Sequence, residues 1–136
     1  MKSWQTKLIS GAVGVFLLDQ ASKYLAVSLG MQVVINEGIS FGWRPAGEWL
    51  FLALAFVLGG AVALSWRYWS RAPIATGFFL GGITANLTDR LVFGGVRDWL
   101  PIPLTGLYNN LADWGITIAV LLVLYELYRT QKNTAV

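Results

Sequence analysis

The sequence predicts an all-α membrane protein, four transmembrane helices carrying a small strand-containing cap on their outer side. Hydrophobic residues make up 56% of the chain and charged residues only 12%. Its mean hydropathy of +0.59 is more apolar than a soluble core of this size requires. Four apolar segments recur, each near the ~20 residues a helix needs to cross about 30 Å of hydrocarbon. Lys and Arg flank these segments in alternation, as in membrane proteins of fixed orientation. With 136 residues, the chain is expected to form one domain, 1–136, since domains run to about 100–200 residues.

The first span runs roughly over 7–29. Lys2 and Lys7 give it the basic start of a signal peptide, but Ser28-Leu29-Gly30 is a poor cleavage site. Asp19, Gln20 and Lys23 also interrupt its apolar run. After it, "MQVVIN" is a short β-like run. The second span covers roughly 49–66 and the third 73–93, where Gly77 and Gly81 form a small-xxx-small face for close helix packing. "VRDWLPIPLTGLY" then mixes β-formers with Pro103 and Gly106 at turn positions. The fourth span occupies roughly 110–128.

Lys2 and Lys7, Arg67 and Arg71, and Arg129 and Lys132 mark three segments as cytoplasmic, both termini included. Residues 30–48 and 94–109 then face outward, although Arg44 and Arg97 lie there. Asp98 and Asp113 fall at the outer membrane surface. The net charge is +3, but no basic run or basic helix suggests nucleic acid. The chain has neither cysteine nor histidine. Thiol and Ser-His catalysis and the usual zinc and haem ligands are therefore excluded, and no metal or cofactor is expected. Chemistry must rest on carboxylates, amides, hydroxyls, Lys and Arg.

Within so apolar a chain the polar residues stand out. Asp19 and Lys23, four apart, share one helix face. A charge at the bilayer centre costs about 2.5–3.5 kcal/mol on insertion scales, so an internal salt bridge is expected there. Asn86 and Asp89, three apart, and Asn86 and Arg90, four apart, make a second polar face. Asn110 and Asp113 repeat that spacing at the head of the last span, where the helix dipole favours a carboxylate. Asp98 lies among Val96, Trp99 and Leu100. If Asp98 and Asp113 share a site, they cannot both ionise easily. The charged member can take a proton from water while the neutral one protonates a carbonyl oxygen or a leaving amine. A small proton-coupled transporter relaying through Asp19, Lys23, Asp89 and Asp113 would instead need polar residues throughout the membrane's depth. Here they cluster toward the outer ends of the spans.

Four motifs in order make the chain resemble the lipoprotein signal peptidases, bacterial four-span aspartic proteases. They are "LDQASK" at 18–23, "NEGISFG" at 36–42, "GGITANLTDRLVFGGVRD" at 81–98 and "NNLADWG" at 109–115. The resemblance implies that Asp98 and Asp113 are the catalytic pair. It implies that Asn36, Gly38, Phe41, Asn86, Asp89, Arg90 and Asn110 shape the site, supported by Asp19 and Lys23. It also implies an enzyme, a monomer and not an oligomer, of the bacterial cytoplasmic membrane with its active site at the outer face.

 The substrate would be a diacylglyceryl-modified prolipoprotein in the lipid bilayer, cut just before its lipid-bearing cysteine. A catalytically inactive paralogue binding lipidated peptides would share these motifs. Several positions depart from the family pattern: Ile39, Ala85, Trp99, Asn109, Trp114, a short outer loop before Asn36, and Arg97, where an apolar residue is usual. A cation beside Asp98 is expected to hold that carboxyl ionised.

Overall fold

The computed structural model describes residues 2–38 and 69–134. The expected second span at 49–66, with Ile39, Phe41, Arg44 and Arg67, lies outside the described residues. The three other expected spans are helices: α1 (Ser3–Ser28), α2 (Pro73–Phe93) and α3 (Leu111–Thr134). Leu111–Asn133 is long and apolar enough to cross a membrane, with a mean hydropathy of 1.6. Polar residues such as Asp19, Gln20 and Lys23 in α1, and Asp89 and Arg90 in α2, lower the hydropathy of the other two.

Local chemistry sets the helix ends. Pro73 opens α2 at a position where its missing N–H costs nothing. Gly94 closes it with φ 74°, a left-handed conformation that glycine adopts without penalty, and donates its N–H to the Arg90 carbonyl. At the head of α3, the Asn110 side-chain oxygen accepts the Asp113 N–H at 2.9 Å. The Asp19 carboxylate of α1 accepts the Ala112 N–H at 2.9 Å. Two of the free N–H groups at that helix start are thus satisfied, one of them by a neighbouring helix.

Helix α2 packs against both α1 and α3. Gly77 and Gly81 form the close seam with α1: a Cβ on Gly77 would lie 2.3 Å from the Leu8 carbonyl oxygen, and one on Gly81 2.3 Å from that of Ala12. Trp69, Ala75, Phe79, Ala119 and Val123 make an apolar cluster toward the other end of the bundle.

Two short antiparallel ladders form the cap. β1 (Val34–Asn36) pairs with β2 (Val96–Asp98), and β3 (Leu100–Pro101) pairs with β4 (Tyr108–Asn109). The register sets Asn36 opposite Val96 and Ile35 opposite Arg97. Side chains alternate across a strand, so Asn36, Val96 and Asp98 share one face while Arg97 takes the other.

Burial runs opposite to that of a soluble protein. Asp19, Lys23, Asp89 and Asn110 are fully buried, whereas Leu18, Tyr24, Leu91 and Leu121 are at least 60% exposed. Apolar side chains outside and ion pairs inside suit a bundle surrounded by hydrocarbon.

Candidate active site

Asp98 comes from β2 and Asp113 from the first turn of α3, and the Asn110 amide bridges them. Its Nδ2 donates to Asp98 Oδ1 at 2.6 Å and to Asp113 Oδ2 at 3.1 Å. Asn36 Nδ2 donates to Asp98 Oδ2 at 3.0 Å, and Asn86 Nδ2 to Asp113 Oδ1 at 2.6 Å. Each of the four carboxylate oxygens therefore accepts one amide N–H and keeps lone-pair capacity for a proton or a water.

The three amides are oriented from behind. Asn110 Oδ1 accepts the Asp113 N–H, and Asn36 Oδ1 accepts the Gly38 N–H at 3.0 Å. Asn86 Oδ1 accepts from Lys23 Nζ at 3.2 Å. With every amide oxygen engaged by a donor, each NH₂ group must face a carboxylate. Gly38 also offers its carbonyl to Arg90 Nη2 at 2.8 Å, which ties the segment after β1 to α2.

Behind the pair lies a second polar layer. Lys23 Nζ is 2.6 Å from Asp19 Oδ2 and 3.1 Å from Asp89 Oδ2, and all three side chains are fully buried. Arg97 joins from the cap, donating through its backbone N–H to Asp89 Oδ2 at 2.9 Å and through Nη2 to Asp89 Oδ1 at 2.8 Å. Its Nη2 also donates to Gln20 Oε1 at 2.9 Å, and the guanidinium carbon lies 4.0 Å from the centre of the Phe93 ring. Gln20 Nε2 donates in turn to Asp89 Oδ1 at 3.0 Å.

Burial pushes the Asp98 carboxyl above its ordinary range, opposed by the Asn110 and Asn36 hydrogen bonds and by the positive charges of Lys23 and Arg90. Arg97 does not perform the role its position in the sequence suggests. Strand alternation turns it away from Asp98, and its guanidinium binds Asp89 and Gln20.

A cleft of about 270 Å³ opens over the pair, with Asn36, Asn86, Arg90, Asp98 and Asp113 on its polar side and Val96, Ile102 and Ile116 on its apolar side. A second cleft, bounded by Gln32, Glu37 and Gly106, also reaches Asn36, Asp98 and Tyr108. The site is thus open on two sides of Asp98. Among the described residues, no group of three or more carboxylates converges as metal ligands would.

Of the residues that the sequence singles out, Asp19, Lys23, Asn36, Gly38, Asn86, Asp89, Arg90, Asp98, Asn110 and Asp113 all belong to this assembly; Phe41 lies outside the described residues. Gln20 and the polar role of Arg97 are additions. Gln20 carried a signal, since it is one more polar residue inside an apolar span.

A helical bundle with apolar flanks and a carboxylate pair at one end defines a structural class, membrane-type bundles with a polar cleft at one end. The chain belongs to the signal peptidase II family, bacterial membrane proteases of lipoprotein maturation: the family model described as "Signal peptidase (SPase) II" matches residues 11–129. A lipoprotein signal peptidase of Hydrogenovibrio crunogenus is 30% identical over 90% of this chain and 86% of its own. One from Brevibacillus brevis is 31% identical over 90% and 95%, respectively. One from Pseudomonas aeruginosa is 28% identical over 88% and 86%. A bacterial membrane enzyme solved by the in meso method at 2.3 Å resolution has the same fold, with a TM-score of 0.73 over 93% of this chain and 90% of its own at 22% identity.

Proposed function

We propose that this protein is an aspartic endopeptidase that removes the signal peptide from diacylglyceryl-modified prolipoproteins, cutting just before the lipidated cysteine. One observation carries the reading: Asp98 and Asp113 share the Asn110 amide, and among the described residues only amide N–H groups hydrogen-bond their side-chain oxygens. Amides hold the two acids together without neutralising them, so the pair shares one proton. The ionised member takes a proton from water, whose oxygen attacks the scissile carbonyl carbon. The protonated member gives its proton to the carbonyl oxygen. When the tetrahedral intermediate collapses, the C–N bond breaks and the amine leaves with a proton from the pair. The names of the relatives support the substrate, and the cleft's mixed lining suits a peptide beside lipid.

Asp98→Asn and Asp113→Asn are each expected to abolish cleavage of a diacylglyceryl prolipopeptide while leaving binding and folding intact. Because the two act as a unit, the double variant should be scarcely worse than either single one. Substantial turnover by either variant, free of host peptidase, refutes the mechanism. A wild-type protein that binds the peptide without cutting it is instead the inactive paralogue. The reading also places both termini in the cytoplasm and the pair at the outer face, as the Lys/Arg distribution indicates. Single cysteines introduced at positions 105 and 132 test this with an impermeant label on whole cells. Labelling at 105 alone is expected, and labelling at 132 alone overturns the orientation.

A further inference from the structure

We propose that the end of the bundle opposite the carboxylate pair holds the headgroup of an anionic phospholipid. A cleft of about 410 Å³ there is lined by Lys7 of α1, Arg71 from the turn before α2 and Arg129 of α3, with Ile74, Leu122 and Tyr125 as apolar wall. Among the described residues, three cations from three separate elements line this cleft with one carboxylate, Glu126, whose Oε2 is 3.9 Å from Arg129 Nη1. An orientation signal requires these cations on one side of the membrane. It does not require them to converge on one cleft, where they repel one another unless an anion enters.

Depth selects the kind of anion. Asp113 and Arg129 are sixteen residues apart on α3, about 24 Å at the helical rise per residue. That approaches the ~30 Å of the hydrocarbon layer. With the carboxylate pair at one surface, the Arg129 backbone lies about 6 Å short of the far edge of the hydrocarbon, a gap its long side chain spans toward the phosphates of the other leaflet, and Lys7 and Arg71 line the same cleft. Leu122 sits seven residues nearer the middle of α3 than Arg129, about 10 Å deeper. Ile74, Leu122 and Tyr125 are 46%, 41% and 63% exposed. An acyl chain can follow this wall while its phosphate meets Lys7, Arg71 and Arg129. A free phosphate would use the cations and leave the wall bare, so the shape favours a lipid.

Native mass spectrometry of the purified full chain tests this, in detergent doped with equal amounts of dioleoylphosphatidylglycerol and dioleoylphosphatidylcholine. Preferential retention of phosphatidylglycerol is expected. Arg71→Gln with Arg129→Gln should weaken that retention roughly 25-fold, about fivefold for each basic residue near a lipid surface. Lys2→Gln with Lys132→Gln removes the same charge outside the cleft and should leave retention as in wild type. Thermal melting in phosphatidylcholine alone checks that the cleft variant is folded; should it not be, the single variants must each lose about fivefold. Equal retention of the two lipids overturns the proposal, as does an equal loss in the control variant. Displacement of the lipid by inorganic phosphate overturns it in favour of a free-anion site.

Discussion

Replacing Lys23 by Met tests the polar layer behind the carboxylate pair. The ammonium has three hydrogens and three acceptors: Asp19 at 2.6 Å, Asp89 at 3.1 Å and Asn86 at 3.2 Å. Met fills a similar volume but supplies neither charge nor donor. Asp89 keeps the Arg97 guanidinium and N–H. Among the described residues, Asp19 keeps the Ala112 N–H and a long 3.4 Å contact from Gln20. Stranding one buried charge by removing its partner costs about 3–5 kcal/mol. Because Asp89 remains paired, the lower end applies, about 3 kcal/mol. That corresponds to a fall in Tm of roughly 10 °C for a chain of this length. Adding Asp19→Asn removes the stranded charge and should recover part of the loss, a coupling that a double-mutant cycle measures. Thermal unfolding in detergent provides the readout, with cleavage assayed alongside. If Lys23→Met melts like wild type but no longer cleaves, the residue acts in the chemistry and the structural reasoning is refuted.

Arg97→Val should lower stability by about 3 kcal/mol through loss of the Asp89 clamp, yet leave the acidic limb of the pH–rate profile in place, because Arg97 lies on the strand face away from Asp98. A shift of that limb would show that Arg97 acts on the pair. Gly81→Ala sets a Cβ against the Ala12 backbone at 2.3 Å, and should cost about 1–3 kcal/mol in the same melting assay by forcing α1 from α2. For Asp98, burial raises the folded pKa above the ordinary 3.8, so its contribution to stability is present at low pH and lost as pH rises through the raised value. Asp98→Asn should therefore melt above wild type at neutral pH, and the difference should vanish below that window; a constant difference across pH would contradict it.

Much of this site was legible as spacing. Asn86, Asp89 and Arg90 fall three and four apart, and a helix turns such positions to one side whatever surrounds it. The placement of Asp113 at a helix start also survives in the folded chain, whereas Asp98, set among apolar neighbours in sequence, meets the Asn36 and Asn110 amides. Arg97 shows where one-dimensional reading fails. Adjacent residues suggest an ion pair, but a strand sends neighbours to opposite faces, so the cation reaches Asp89 and Gln20 instead. Only with the β1–β2 register fixed does that become visible. The orientation of the asparagines is hidden for a different reason. An amide has a donor end and an acceptor end, and the partner behind it decides which end faces the carboxylates.

Those amides explain how one small bundle holds so many acids apart in role. Asp19, Asp89, Lys23 and Arg97 form a layer of two carboxylates and two cations in direct contact, which serves as architecture. Among the described residues, Asp98 and Asp113 hydrogen-bond to neutral amides, and Asp98 feels the charges of Lys23 and Arg90 through space. An ammonium or guanidinium in direct contact would favour ionisation of both members and remove the acid that the proposed mechanism needs. Asn86 joins the two layers: it accepts from Lys23 on one side and donates to Asp113 on the other. The charge of Lys23 thereby orients the pair without neutralising it, which is why an amide rather than a second cation is required between them.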